Sequence, residues 1–158
     1  YGITGEERYL AIDPGISTGV ATFKENGDLI RTETLKGRDQ LYDYLRSLVM
    51  PGLMNYSVYP VLTVIMEDFK LYPWKAMAQS WDKLETVRFI GAIEFWAERC
   101  NFPVVFQDPN IKGIGYRWAG ISKPKNHSLS HETDAFVHGV YYLQNAGIRR
   151  LQHGKGGN

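Results

Sequence analysis

Short runs that are mainly apolar, or that alternate between uncharged and charged residues, predict strands in the first third of the chain. The runs Tyr9–Asp13, Gly19–Phe23 and Leu29–Leu35 have this character. The first run ends in an Asp-Pro-Gly turn, and Asn26-Gly27-Asp28 predicts a tight hairpin between the next two. Three consecutive strands joined by short turns form an antiparallel meander.

Farther along the chain, the apolar residues switch between helical spacing and short continuous runs. The predicted helices are Arg38–Val49, Leu84–Cys100 and His131–Ala146. The predicted strands between them are Val61–Met66 and Pro103–Gln107. On the second helix we expect one packed stripe, formed by Leu84, Val87, Ile90, Ile93 and Ala97. We predict no element in the polar stretch that leads up to Ser130.

The order of these elements predicts an α/β fold with one mixed five-stranded sheet. Helical crossovers between the later strands require parallel neighbours, and they place helices on both faces of the sheet. A length of 158 residues with 44% hydrophobic residues suits one domain. We assign residues 1–151 to this domain and predict a disordered Gly-rich tail over residues 152–158.

Composition narrows the environment in which the protein works. No run of 18 or more apolar residues occurs, so the sequence predicts no membrane span. A single cysteine, Cys100, excludes an intramolecular disulfide and suits a reducing compartment, from which we predict a cytoplasmic location. The net charge of +1 neither requires nor excludes nucleic acid as a partner.

Three acidic residues fall where the predicted elements end or begin. Asp13 ends the first strand, Glu67 follows the buried fourth strand, and Asp134 lies in the first turn of the last helix. If the first and fourth strands are parallel neighbours, the first two side chains emerge at one sheet edge, and a helix packed across that edge delivers the third. Converging carboxylates repel one another, and a divalent cation such as Mg²⁺ or Mn²⁺ relieves the repulsion.

The start of the last helix offers two further candidate ligands, His131 and Glu132. At about 100° per residue, His131 and Asp134 lie about 60° apart, whereas Glu132 and Asp134 lie about 200° apart. We therefore predict that His131, as a ligand or a proton carrier, completes the site, and we give Glu132 a minor role.

Basic residues concentrate in one part of this near-neutral chain. Between Asp108 and Glu132 there is no acidic residue. Lys112, Arg117, Lys123, Lys125 and His127 all occur in this segment. Such a segment indicates a phosphate-facing surface, although a solvated loop would have the same composition.

The acidic motifs together resemble those of RuvC-type Holliday junction resolvases. The segment Tyr9–Ala21, with its Ile-Asp-Pro-Gly turn, is similar to the opening of that family. Val64–Phe69 resembles the family's second acidic strand end, and His131–Ala135 resembles its last motif. The resemblance extends from about Tyr9 to Leu143, and the stretch from Leu71 to Val87 looks closer to phage-encoded members than to bacterial housekeeping ones.

The resemblance implies an RNase H-like fold and the hydrolysis of four-way DNA junctions. It implies two Mg²⁺ or Mn²⁺ ions per active site, a homodimer that places two sites on opposite strands, and products with 5′-phosphate and 3′-hydroxyl ends. Carried over by motif, the metal site consists of Asp13, Glu67, His131 and Asp134.

The sequence departs from the family where DNA contacts are expected. The family's stacking aromatic residue falls at Lys70, so Phe69, Tyr72 or Trp74 would have to stack on bases. We count these four residues, together with Lys112, Lys123 and Lys125, as candidate DNA contacts.

Three other functions stay open at this point. The first is a less selective nuclease of the same fold that acts on flaps, forks or RNA. The second is a phosphotransferase of the sugar-kinase or actin type, a fold that needs two such domains and a longer chain. The third is a non-catalytic DNA-binding domain, which the presence of every acidic position disfavours.

Overall fold

A computed structural model describes residues 5–49, 61–69, 81–122 and 130–149 of the chain. The strands are β1 (Tyr9–Asp13), β2 (Ser17–Phe23), β3 (Leu29–Lys36), β4 (Thr63–Glu67) and β5 (Val104–Gln107). The helices are α1 (Gly37–Ser47), α2 (Trp81–Arg99), α3 (Lys112–Trp118) and α4 (His131–Asn145). Among the described residues, no helix is long and apolar enough to span a membrane.

The strands of the described residues form one mixed sheet in the order β3-β2-β1-β4-β5. The pairs β1–β2 and β2–β3 are antiparallel, whereas β1–β4 and β4–β5 are parallel. This is the predicted meander extended by two parallel strands, and β1 and β4 are the predicted neighbours. The fold class inferred from the sequence is confirmed.

The alternation of side chains along the central strands divides the core into two layers. Leu10 and Ile12 of β1 pack with α1 and α2 on one face of the sheet. Ala11 and its β4 neighbour Ile65 pack with α4 on the other face. Since successive residues of a strand point to opposite faces, Asp13 and Glu67 share the α4 face.

Helix α4 approaches the sheet closely because small residues lie at the contact. A Cβ atom built on Gly139 would overlap the ring of Phe23 and lie 3.2 Å from the Ala11 Cβ atom. At the start of the helix, a Cβ atom built on Gly19 of β2 would overlap the His131 carbonyl group. These two glycines fix the height of α4 above the sheet edge where β1 and β4 end.

Two expectations about helices are wrong. The stretch after β5 contains α3, preceded by a 3₁₀ turn at Pro109–Ile111. Glycine is a poor helix former, and the sequence does not predict this helix because residues 113 and 115 are glycines. Its stability comes instead from packing, since Gly115 lies against Val137 of α4.

The predicted stripe on α2 is also wrong in its first half. Leu84 and Val87 are each 44% exposed, whereas Phe89, Ile93 and Ala97 are buried. Steps of three residues rotate a stripe backwards by about 60° each, so Leu84 and Ile93 lie on opposite sides of the helix. On α1, by contrast, the apolar residues Leu41, Tyr44 and Leu45 share one face and are buried, as is Leu48 just after the helix.

Candidate active site

The carboxylates of Asp13 and Glu67 lie side by side at the ends of two parallel strands. Ile12 pairs with Met66, so the next residue of each strand emerges at the same edge of the sheet. Asp13 is 8% exposed and Glu67 is partly buried. Both side chains face α4, because they follow Ala11 and Ile65 by two residues on their strands.

Helix α4 presents three polar side chains to this edge from one face. At about 100° per residue, His131, Asp134 and His138 fall within about 60° of one another. His131 Nδ1 lies 2.9 Å from Asp13 Oδ2, and His138 Nε2 lies 2.8 Å from Glu67 Oε2. The helix therefore brings one histidine to each strand-end carboxylate and carries a third carboxylate, Asp134, between them along its face.

Helix α3 supplies a cation and a hydroxyl group to the same point. Lys112 Nζ lies 2.7 Å from Glu67 Oε2, 3.2 Å from Asp134 Oδ2 and 3.8 Å from Asp13 Oδ1. One helical turn later, the Tyr116 hydroxyl donates a short hydrogen bond to Asp134 Oδ1. The three carboxylates from β1, β4 and α4 thus surround a single ammonium group.

This arrangement shifts the pKa values of the groups involved. Burial alone would raise the pKa of Glu67, but hydrogen bonds from His138 and Lys112 outweigh it and lower that pKa. Burial alone would lower the pKa of Lys112, but the surrounding carboxylates raise it. The hydrogen bond to Asp13 raises the pKa of His131. Each shift favours the charged form of its group.

Tyr116 responds in the opposite sense. Burial and the neighbouring Asp134 carboxylate both raise the pKa of its hydroxyl group. The phenol therefore stays protonated near neutral pH and acts as a donor to Asp134. It shares that carboxylate with Lys112, so α3 holds Asp134 through two side chains spaced four residues apart.

The carboxylate oxygens and the imidazole nitrogen of the cluster are suitable ligands for a divalent cation. In this structure, however, the carboxylates surround the ammonium group of Lys112. Carboxylate oxygens are the ligands that Mg²⁺ and Mn²⁺ prefer, and imidazole is acceptable to Mn²⁺. Within the described ranges, no group of His, Cys, Asp and Glu side chains is arranged as a complete metal-ligand set. The Lys112 ammonium occupies the cation position, so ions entering there would have to displace it.

Glu132 lies apart from the acidic cluster, although it adjoins His131 in the sequence. Its Oε2 atom accepts a hydrogen bond of 3.2 Å from Thr34 Oγ1 on β3. This contact follows from the helical angle that separates residues 132 and 134. Of the two candidates at the start of α4, His131 is the one that lies beside Asp13.

The predicted DNA contacts fall mostly outside the described residues. Lys70, Tyr72, Trp74, Lys123 and Lys125 all lie there, and their roles stay predictions. Phe69 is described and is partly buried two residues after Glu67. Lys112 lies within the acidic cluster and not on an open phosphate-facing surface.

Three residues at or behind the cluster are not predicted from the sequence: Tyr116 and His138 contact its carboxylates, and Gln107 contacts His138. Two of them had a usable signal. His138 follows His131 by seven residues and so shares its helical face, and Tyr116 follows Lys112 by four. Gln107 ends β5 just as Glu67 ends β4, a relation that depends on the strand register.

Comparison with known proteins gives a structural likeness and no sequence match. No protein-family model matches the chain, and no curated protein matches it significantly. The structure is similar to Thermus thermophilus RuvC in complex with a Holliday junction substrate, with a TM-score of 0.58 and 16% identity. A second Thermus thermophilus RuvC structure gives a TM-score of 0.54 at 16% identity. In both cases the match covers 89% of this chain and 96% of the other.

The likeness extends over nearly the whole of the RuvC chain, and it establishes the fold. The mixed five-stranded α/β sheet described above is the RNase H-like architecture of RuvC.

Proposed function

We propose that this protein is a metal-dependent, structure-selective endonuclease that resolves four-way DNA junctions by hydrolysing phosphodiester bonds. The observation that carries the proposal is the convergence of Asp13, Glu67 and Asp134 on one cationic atom. The structural likeness to RuvC in complex with a Holliday junction supports the choice of substrate.

In this proposal the carboxylates hold two divalent ions, Mg²⁺ or Mn²⁺, with His131 as a further ligand or a proton carrier. Such ions, when bound, activate a water for in-line attack and stabilise the leaving 3′-oxygen. The side chain of His131 is 51% exposed, so it is accessible to a substrate phosphate while Asp13 orients its ring.

Lys112 has two roles in the proposed cycle. Without metal, its ammonium group compensates the charge of the carboxylates. With divalent ions bound, that compensation would no longer be needed, and the flexible side chain of Lys112 would be free to contact the DNA backbone. Lys123, Lys125, Phe69, Lys70, Tyr72 and Trp74 are the other proposed DNA contacts. Because phosphate contacts release counterions, we expect junction binding to weaken as the salt concentration rises.

Resolution requires cuts in two strands, and we propose that a homodimer provides them. The candidate interface is an apolar face of α2 formed by Leu84, Val87 and Phe95, which are 44%, 44% and 64% exposed. With Gly91 these residues span about 80° of the helix surface. A Cβ atom built on Gly91 meets nothing within 4 Å, so a second copy of this helix could approach closely.

The proposal is tested by cleavage of a synthetic four-way junction with no metal, with Mg²⁺ and with Mn²⁺. We expect the wild-type protein to cut the junction only when metal is present. The Asp13→Asn variant should lose cleavage and retain most junction binding, because it removes a carboxylate and leaves the basic residues. Cleavage by a clean preparation of this variant would contradict the assignment.

Two further arms of the same assay refine the answer. Imidazole suits Mn²⁺ better than Mg²⁺, so activity with Mn²⁺ should at least equal that with Mg²⁺, and a strict Mg²⁺ requirement would argue against His131 as a ligand. If forks, flaps and linear duplex are cut as fast as the junction, the protein is a less selective nuclease and not a junction resolvase.

A further inference from the structure

His138 is a fully buried polar residue that the proposed chemistry does not use. It lies on α4 with 0% exposure and has hydrogen-bond partners at both ring nitrogens. Nε2 lies 2.8 Å from Glu67 Oε2, and Nδ1 lies 2.8 Å from Gln107 Oε1. A buried imidazole held at both nitrogens has a fixed ring orientation, since rotation would break two bonds in a site without solvent.

The two partners of His138 are neighbours on parallel strands. Glu67 and Gln107 pair in register at the ends of β4 and β5. The backbone continues the ladder one step further, because the Asp68 amide donates to the Gln107 carbonyl oxygen at 2.8 Å. The ring therefore spans two strand ends whose relative position the sheet already fixes.

The hydrogen bond between His138 and an ionised Glu67 has the same donor, Nε2, whether the ring is charged or neutral. An ionised carboxylate only accepts, so Nε2 donates to it. The Gln107 amide can accept from Nδ1 of a charged ring or, turned through 180°, donate to Nδ1 of a neutral one. In both cases Nε2 keeps its proton directed at Glu67, and Gln107 holds the opposite side of the ring. This bond does not involve Lys112 and would persist after the ammonium group is displaced.

We propose that His138 and Gln107 are a positioning pair that orients the Glu67 carboxylate for a divalent cation. The inference rests on the proposed function, which supplies the metal site. It adds two residues that do not bind the metal and act on it through Glu67. Hydrogen-bonded partners of metal ligands typically contribute about 10–100-fold to metal affinity. A histidine that only fills the core would contribute to stability and leave metal affinity unchanged.

Two amide variants separate these roles. In His138→Gln the amide nitrogen falls near the position of Nε2 and keeps the bond to Glu67. In His138→Asn the shorter amide falls near Nδ1 and reaches only Gln107. We measure Mn²⁺ dissociation constants by electron paramagnetic resonance of the folded proteins, together with their thermal midpoints.

The expected result is an affinity loss of about 10–100-fold in His138→Asn and a much smaller loss in His138→Gln. Equal Mn²⁺ affinities in the two variants, whatever their thermal midpoints, would overturn the inference. If His138→Asn does not fold, Gln107→Leu replaces it. That variant should also weaken Mn²⁺ binding, and wild-type affinity there would overturn the inference.

Mn²⁺ binding and junction cleavage by the wild-type protein distinguish a failure of the positioning pair from a failure of the proposed function. Wild-type protein that binds Mn²⁺ and cuts junctions, alongside equal affinities in the variants, removes only the role of His138. Wild-type protein that binds no Mn²⁺ contradicts both. Protein that binds Mn²⁺ with the expected variant pattern but cuts no branched DNA supports the positioning pair and contradicts the nuclease.

Discussion

At the scale of single residues, the central feature is an ammonium group among carboxylates. Lys112 Nζ lies within 3.8 Å of oxygen atoms from Asp13, Glu67 and Asp134. Three carboxylates that close would repel one another without a cation. Lysine therefore stabilises the three carboxylates as they stand, and a divalent ion binding there would compete with it for the same oxygens.

Replacing this lysine should make the protein less stable without metal and more responsive to metal. We expect Lys112→Met to lower the thermal midpoint in chelator, at about 2–4 °C for each kcal/mol lost in a domain of this size. Mn²⁺ should raise the midpoint of the variant by more than it raises that of the wild type, because no internal cation has to leave. Differential scanning calorimetry with and without Mn²⁺ measures both effects.

Lys24→Met is the matched control for this experiment. Lys24 forms an exposed ion pair of 2.7 Å with Glu6, far along β2 from the carboxylates. Exposed ion pairs contribute little to stability, so the control should change little and respond to Mn²⁺ as the wild type does. A Lys112→Met protein that is unchanged or more stable in chelator would show that the lysine is not a needed counter-charge.

At the scale of elements, the site depends on how closely α3 lies against α4. A Cβ atom built on Gly115 would lie 2.6 Å from Val137 Cγ1 and 2.8 Å from the Val137 carbonyl oxygen. The backbone oxygen cannot turn aside as a side chain can. Glycine at this position therefore sets the distance at which Lys112 and Tyr116 reach the carboxylates.

Two alanine substitutions in the same helix test this contact. Gly115→Ala should destabilise the protein by about 1–3 kcal/mol, since overpacking forces α3 away from α4. Gly113→Ala is the control, because a Cβ atom there meets nothing within 4 Å and alanine favours the helix by up to about 1 kcal/mol. Urea unfolding measures both free energies. Equal effects of the two changes would mean that the close approach is not required.

The elements also show which parts of the structure could be read from the sequence. Asp13 and Glu67 were found because strand periodicity and the parallel β1–β4 pairing follow from local patterns and chain order. Helix α3 was not predicted because both of its glycines oppose local helix propensity, and Gly115 is explained only by its tertiary packing against α4. Gln107 was missed for a related reason, since its position beside Glu67 depends on the register of β4 with β5, which the sequence does not display.

At the scale of the whole molecule, the described part of the chain carries the acidic cluster and, apart from it, the exposed apolar face on α2. The face and the acidic cluster use different residues, so the proposed dimer can be disrupted without touching a carboxylate. Phe95, at 64% exposure, is the most exposed member of that face. A charge introduced there would be costly to bury between two copies.

We therefore expect wild-type protein to sediment as a dimer and Phe95→Glu to sediment as a monomer with unchanged Mn²⁺ affinity. On a junction, the monomer should leave single nicks where the dimer makes paired cuts. Leu29→Glu is the control, because Leu29 is 43% exposed on β3 and lies outside the α2 face. A monomeric wild-type protein, or a dimeric Phe95→Glu variant, would contradict this interface.

The most direct test of the central claim is Mn²⁺ binding by single carboxamide variants, measured by electron paramagnetic resonance. If β1, β4 and α4 build one cation site, Asp13→Asn, Glu67→Gln and Asp134→Asn should each weaken the same binding. Glu132→Gln should leave it unchanged, because Glu132 bonds Thr34 on β3 instead. Wild-type Mn²⁺ affinity in the three cluster variants would contradict the account.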